Sequence, residues 1–213
     1  MRVFPLGDSA ATIEFGNEIS IDLNKRALAL AELLADQPFN GLIEAVPAYA
    51  SVTVFYDPQQ TRYETVKRDL TSLSDNISAP TDEKLDVVEI PISISPDTSP
   101  DLGRLAEYSS LSEDEVIDIF LSRAYQVYML GFLPGFPYMG EVDDRIAAPR
   151  LGTPRTKVAQ GSIGIAGKQT GIYPLESPGG WNIIGRTDLR LFDPASDQPC
   201  LLKPGDGVRF VRC

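Results

Sequence analysis

The sequence predicts an α+β protein of two domains, residues 1–80 and 85–213, and three observations carry that reading. The first third of the chain alternates strand-like and helix-like periods. The stretch Ser74–Lys84 then shifts to Ser, Asp, Asn, Pro and Thr with little to bury, which marks a boundary. Beyond Pro149 no helical period survives, and short apolar runs are separated by Gly- and Pro-rich turns, a pattern of barrels or sandwiches.

In the first domain, Ala11–Phe15 reads as a strand. Asp22–Ala35 follows as a helix with an apolar stripe at Leu23, Ala27, Leu30, Ala31 and Leu34, and Asp22 is spaced to pair with Arg26. Pro38 and Gly41 close that helix. Ile43–Val46 and Ser51–Tyr56 read as strands, the second ended by Asp57-Pro58. Thr61-Arg-Tyr-Glu64 has the form of a capping box opening a helix whose apolar face is Tyr63, Val66, Leu70 and Leu73. The order β, β, α, β, β, α suits a small sheet covered by two helices.

In the second domain, Val87–Ile94 is strand-like and Ser99-Pro-Asp101 has the chemistry of a helix start. Ser112-Glu-Asp-Glu115 is a second capping box, leading a short helix through Val116, Ile119 and Phe120. The strand Tyr125–Leu130 then enters Gly131-Phe-Leu-Pro-Gly-Phe-Pro-Tyr-Met-Gly140. Pro134 and Pro137 lack an N–H and interrupt pairing, while Phe132, Phe136 and Tyr138 are too apolar for a solvated loop. A stiff apolar segment that joins neither helix nor sheet reads as the wall of a site or an interface. Gly161–Ala166, Trp181–Ile184 and Val208–Val211 are the clearest late strands, and Pro204-Gly205 suits a tight turn before the last.

Composition excludes several functions. The chain of 213 residues carries a net charge of −11, which argues against nucleic-acid and anionic-membrane partners. It has no histidine, so Ser-His, Cys-His and His-metal chemistry cannot be carried by this chain alone. Cys200 and Cys213 form neither a disulfide framework nor a metal spacing. No leader-like or membrane-spanning apolar run is present, and a cytoplasmic location is expected.

Three segments remain as candidates for binding. The Phe132–Tyr138 loop is one, with Phe132, Pro134 and Phe136 as its wall. In Gly161–Pro174, the residues Lys168, Gln169 and Thr170 put a cation, an amide and a hydroxyl on one turn, suited to a carboxylate or amide ligand. The spacing there is not that of a phosphate loop. In Glu176–Thr187, the only tryptophan, Trp181, is either a core residue or the aromatic wall of a pocket with Asn182 and Arg186 as polar contacts. Arg150 and Arg155 flank Leu-Gly-Thr-Pro and are either surface charges or anion contacts. No two acidic residues are spaced as a catalytic pair.

Four stretches resemble the allophanate hydrolase subunit 1 family: Gly7-Asp-Ser-Ala10, Val127–Tyr138, Gly164–Pro174, and Ser177-Pro-Gly-Gly-Trp181 through Ile184-Gly-Arg-Thr187. The final Pro204-Gly-Asp206 also fits. That family includes the B component of the prokaryotic 5-oxoprolinase and the kinase inhibitor KipI. The resemblance implies a small N-terminal α/β sandwich domain and a C-terminal cyclophilin-like β-barrel domain. It implies ATP-dependent opening of 5-oxoproline to glutamate together with the A and C components, of which C is homologous to this chain. The isolated chain would be inactive and bind no cofactor itself, while the complex uses ATP. The implied substrate-binding face is the barrel surface of the three motifs, with Phe132, Pro134, Phe136, Arg155, Lys168, Gln169, Thr170, Tyr173, Trp181, Asn182 and Arg186. The alternative it implies is inhibition of a sensor histidine kinase. A prolyl-isomerase activity would rest on the barrel alone, and fold is a poor warrant for activity.

Overall fold

A computed structural model describes residues 1–77 and 86–213. The chain divides into two compact units, Met1–Lys84 and Leu85–Cys213. Of the predicted boundary segment, residues 78–84 lie outside the described residues. Among the described residues no helix is long and apolar enough to cross a membrane.

The first unit runs β1 (Arg2–Pro5), β2 (Ala10–Glu14), α1 (Ile21–Asp36), β3 (Leu42–Pro47), β4 (Ser51–Tyr56) and α2 (Tyr63–Asp75). Its strands form an antiparallel sheet in the order β1-β2-β4-β3. The predicted stripes are the buried faces: Ala27, Leu30 and Leu34 from α1 and Val66 and Leu70 from α2 meet Ile13, Val52 and Val54 of the sheet. Each larger side chain among them, fully covered, contributes about 1.5–3 kcal/mol. Arg26 does not pair with Asp22; it lays its guanidinium over the Phe15 ring, 4.8 Å from the centroid. Nor does Thr61 cap α2. The Asp57 carbonyl takes the N–H groups of both Gln60 and Thr61, the helix opens at Tyr63, and its N-cap is Arg62 without a side-chain bond. The turn after Asp57-Pro58 thus moves the helix start past the predicted box.

The second unit contains β5 (Val87–Ile92), α3 (Leu102–Ser109), α4 (Glu113–Leu121), β6 (Ala124–Leu130), β7 (Pro137–Gly140), β8 (Arg155–Val158), β9 (Ser162–Ala166), β10 (Gln169–Ile172), β11 (Ser177–Gly179), β12 (Asn182–Arg186) and β13 (Gly207–Arg212). Seven strands form one sheet in the order β12-β9-β10-β7-β6-β13-β5, with β13 and β5 parallel and the rest antiparallel. Its ends meet: Ser93, just past β5, exchanges hydrogen bonds of 2.8 and 3.0 Å with the backbone of Arg186 in β12. This bridge nearly closes the sheet into a barrel and leaves few unpaired edge groups. Gly185 makes the closure possible, because a Cβ there would lie 2.4 Å from Ile92 Cδ1 and 3.2 Å from the Ser93 carbonyl oxygen. β8 and β11 form a separate two-stranded ribbon.

The barrel core gathers Ile90, Ile92, Val127, Ile163, Ile165 and Val208, and α3 and α4 add Leu105, Val116 and Phe120. The Ser112 capping box of α4 has both arms: Ser112 accepts from the Glu115 N–H, and Glu115 accepts from the Ser112 N–H. α3 opens at Leu102 with Asp101 as N-cap, so Pro100 lies just outside it. The segment from Gly131 corrects the reading that it joins no sheet. Pro137 opens β7 opposite Leu130, and β7 pairs with both β6 and β10. A proline is tolerated as the first residue of a strand, where its missing N–H leaves only one rung unmade.

The long connection from β7 to β8 is pinned by Asp143. Its carboxylate accepts from Arg123 at 2.6 Å and from the Arg145 guanidinium at 2.9 and 3.0 Å, and it also takes the Arg145 N–H at 3.0 Å. The Arg145 hydrogen bonds hold the Asp143 pKa well below the ordinary carboxylate value, with a smaller contribution from Arg123. A depressed folded pKa contributes stability that is present above the unfolded value of about 3.9 and is lost as pH falls through the folded value. Asp143→Asn therefore lowers the urea midpoint at neutral pH, and its gap from the parent protein narrows as pH falls below about 4. A gap independent of pH would show that these hydrogen bonds do not stabilise the charged carboxylate.

Candidate functional site

The β6–β7 turn sets the site. Phe132 adopts a left-handed φ of 65° and Gly135 one of 77°. A bulky residue in that region costs about 1–3 kcal/mol, and the turn holds it with bonds from Leu133 N–H to Gly131 O and from Phe136 N–H to Leu133 O. The result is a pair of opposed aromatics: Phe132 is 61% exposed, while Phe136 is turned inward and 1% exposed. Room for the Phe136 ring comes from β10, where a Cβ on Gly171 would lie 2.8 Å from Phe136 Cζ and from the Pro137 carbonyl oxygen.

Around Phe136 the rings interlock. Its centroid lies 4.9 Å from Tyr138, 5.2 Å from Tyr173 and 5.5 Å from Trp181, the last two edge to face. Phe132 closes the cluster from outside, 5.6 Å from Phe136 and 6.5 Å from Tyr173. Such contacts add about 0.5–1.5 kcal/mol each beyond burial and hold the rings in one arrangement. The first of the paired glycines before Trp181 serves Tyr173: a Cβ on Gly179 would fall 2.3 Å from its hydroxyl. These rings line a cavity of about 220 Å³ together with Arg150, Pro154, Pro178, Gly179 and Gly180. Trp181 therefore belongs both to a buried cluster and to the cavity wall.

The cavity is apolar with one cationic edge. Arg150 stands 5.8 Å over the Trp181 ring, and its main chain is fixed at the preceding residue, where Asn182 Nδ2 donates to the Pro149 carbonyl at 3.0 Å. Burial pushes the Tyr138 and Tyr173 phenols above their ordinary pKa; the charge of Arg150 offsets this only in part at Tyr138, as do a hydrogen bond with the Trp181 backbone and then Arg150 at Tyr173. Both stay protonated at neutral pH. No carboxylate, thiol or amine lines this cavity among the described residues. It can enclose a small ring and hold an anion at its rim, but it offers no group to take a proton near neutral pH.

The residues expected from sequence divide into five sets. Phe132, Phe136, Tyr173 and Trp181 line the cavity. Pro134 lies exposed at the turn and does not line it. Thr170 and Asn182 are fully buried. The Thr170 hydroxyl donates to the Gly164 carbonyl at 3.0 Å, and the Asn182 amide donates to Pro149 and Ile165 while its oxygen accepts from Arg104. Their polar atoms are used inside the protein, so these two position strands rather than meet a ligand. Lys168 and Gln169 sit on the β9–β10 side of the sheet, outside the cavity lining, and Lys168 pairs with Asp144 at 2.7 Å. Arg155 and Arg186 open instead onto a second pocket, with Lys157. Tyr138, Arg150, Pro154, Pro178, Gly179 and Gly180 complete the first cavity beyond the residues the sequence singles out as substrate contacts. Arg150 carries a signal as an anion contact, but nothing in the spacing separates it from Arg155.

Comparison with known proteins gives the family. The family described as the carboxyltransferase domain, subdomain C and D, matches residues 1–202. A curated relative from Bacillus subtilis, named as the B component of 5-oxoprolinase, is 46% identical over 99% of this chain and 92% of its own length. The protein of the same name from Escherichia coli O157:H7 is 38% identical over 99% of this chain and 95% of its own. Among solved structures, TTHA0988 is 39% identical with a TM-score of 0.84, covering all of this chain and 40% of that one. PH0987 from Pyrococcus horikoshii is 46% identical with a TM-score of 0.58, covering all of this chain and 97% of its own. The urea amidolyase of K. lactis shares the fold, with a TM-score of 0.80 at 22% identity. The chain is a member of the carboxyltransferase subdomain C and D family, and within it of the group of 5-oxoprolinase B components.

Proposed function

We propose that the chain is the B component of an ATP-dependent 5-oxoprolinase, opening 5-oxo-L-proline to L-glutamate with the A and C components. The observation that carries this reading is the end-to-end identity of 46% with a relative of that name. The cavity supports it from the chemical side. 5-Oxoproline is a compact lactam ring bearing a carboxylate. The aromatic walls formed by Phe136, Tyr173 and Trp181 match the ring, and Arg150 at the rim matches the carboxylate.

A lactam is a resonance-stabilised amide, and opening it takes activation, a nucleophile and proton transfer. The cavity lining offers no nucleophile and no group to take a proton near neutral pH. In this reading the chain holds and desolvates the substrate, the other components supply the ATP-dependent chemistry, and the chain alone binds no cofactor and is inactive. The exposed Phe132 ring is also what a docking face for a sensor kinase would offer, but the full-length relatives favour the oxoprolinase role.

Mixing this chain with the A and C components releases glutamate from 5-oxoproline only when ATP and all three chains are present; release that is undiminished without this chain would refute the role. Within the assembly, Arg150→Gln raises KM about tenfold or more with a smaller change in kcat. Phe132→Asn also raises KM but leaves the urea midpoint close to that of the parent, because Asn tolerates the left-handed backbone and this relief offsets the two lost ring contacts. A lowered midpoint with unchanged KM would make Phe132 structural and remove it from the site.

A further inference from the structure

The second pocket of the barrel unit, about 180 Å³, gathers three cations in an acidic chain. The sequence has 30 acidic and 19 basic residues, yet Arg155, Lys157 and Arg186 converge on this pocket against a single lining acid, Asp97. The three cations are held differently. Lys157 pairs with Glu176 at 2.8 Å and Arg186 approaches Asp188 at 3.9 Å, both pairs being largely exposed. Surface pairs of this kind are weak and readily exchanged for another anion.

Arg155 is fixed. Its Nη2 donates to the buried carboxylate of Asp101 at 2.6 Å, and Asp101 is held in turn by the Ile183 N–H at 2.7 Å. The other guanidinium nitrogen, Nη1, is buried and meets no acceptor among the described residues. A covered guanidinium donor demands an acceptor, and a planar fork with one tine already aligned is prepared for an oxyanion. Ser162 and Thr98 add polar walls.

We propose that this pocket is an oxyanion subsite that binds the carboxylate or phosphoryl group of a small acid through Arg155, Arg186 and Lys157. It is separate from the aromatic cavity, although Pro154 lines that cavity and the next residue, Arg155, lines this pocket. The oxoprolinase reading supplies only the choice of probes.

The test uses the full chain, labelled with nitrogen-15, titrated at constant ionic strength with inorganic phosphate, with 5-oxo-L-proline and with chloride as control. Saturable shifts of the Arg155 and Arg186 Nε–Hε signals are expected, weakened about tenfold in Arg186→Gln and in Arg155→Lys. Arg186→Gln spares the fold because the barrel bridge uses only the Arg186 backbone. Arg155→Lys keeps a cation for Asp101, and an unmoved Ile183 amide signal verifies that the anchor is intact. Tighter binding of phosphate assigns a phosphoryl group, and tighter binding of 5-oxoproline assigns a carboxylate; either supports the site whether or not the assembly opens the lactam. Shifts that match chloride without saturating, or affinities unchanged in both variants, overturn it.

Discussion

The buried carboxylate of Asp101 makes the interaction on which both recesses of the barrel depend. It is 4% exposed, and a charge so placed is tolerated only when hydrogen-bonded and paired. It is both. One oxygen accepts from the Ile183 N–H, the other from Arg155, and the Asp101 N–H donates to the Ile183 carbonyl. The start of α3 is thereby tied to β12 and β8 at once. β12 begins one residue after Trp181, and β8 begins one residue after Pro154. The wall of the aromatic cavity and the fixed arginine of the cationic pocket are thus set by the same anchor.

The two recesses differ in their chemistry. The first is aromatic with Arg150 at its rim, and the second sets three cations beside apolar walls of Pro100, Val158 and Ile183. In the aromatic cavity the titratable groups besides Arg150 are two phenols whose pKa values burial has raised, so that cavity binds and shields rather than moves protons. A chain without histidine is consistent with this division of labour. In the proposed role the chain encloses and orients a substrate while a partner brings the reactive groups.

Much of this is legible in the residues, and the failures have physical causes. The Ser112 box is readable because both its arms lie within one turn. The Thr61 box is not, because the Asp57 carbonyl captures the Gln60 and Thr61 amides and the turn carries the helix start onward. Proline at 137 signals an interrupted strand, yet a first-position proline costs only one rung, so β7 forms. Phe136, Tyr173 and Trp181 announce themselves as apolar groups among Gly and Pro. Thr170 and Asn182 mislead because polarity does not reveal which way a strand residue points; both point inward and are consumed by backbone carbonyls. Lys168 misleads for a different reason, since adjacency in sequence places it on a turn outside the cavity. Asp101 looks only like a helix start. Its real partners lie 54 and 82 residues away, beyond any local pattern.

The central claim is that the aromatic cavity of this chain meets the lactam substrate inside the assembled enzyme. Trp181 is the only tryptophan and lies in the cavity wall. Incorporating 5-fluorotryptophan into this chain alone and assembling it with unlabelled A and C components yields one fluorine signal from the site. The account predicts that adding 5-oxo-L-proline shifts this signal saturably, and that Arg150→Gln requires more substrate to do so. A signal unmoved by substrate in a complex that still turns over would place the substrate elsewhere and contradict the account.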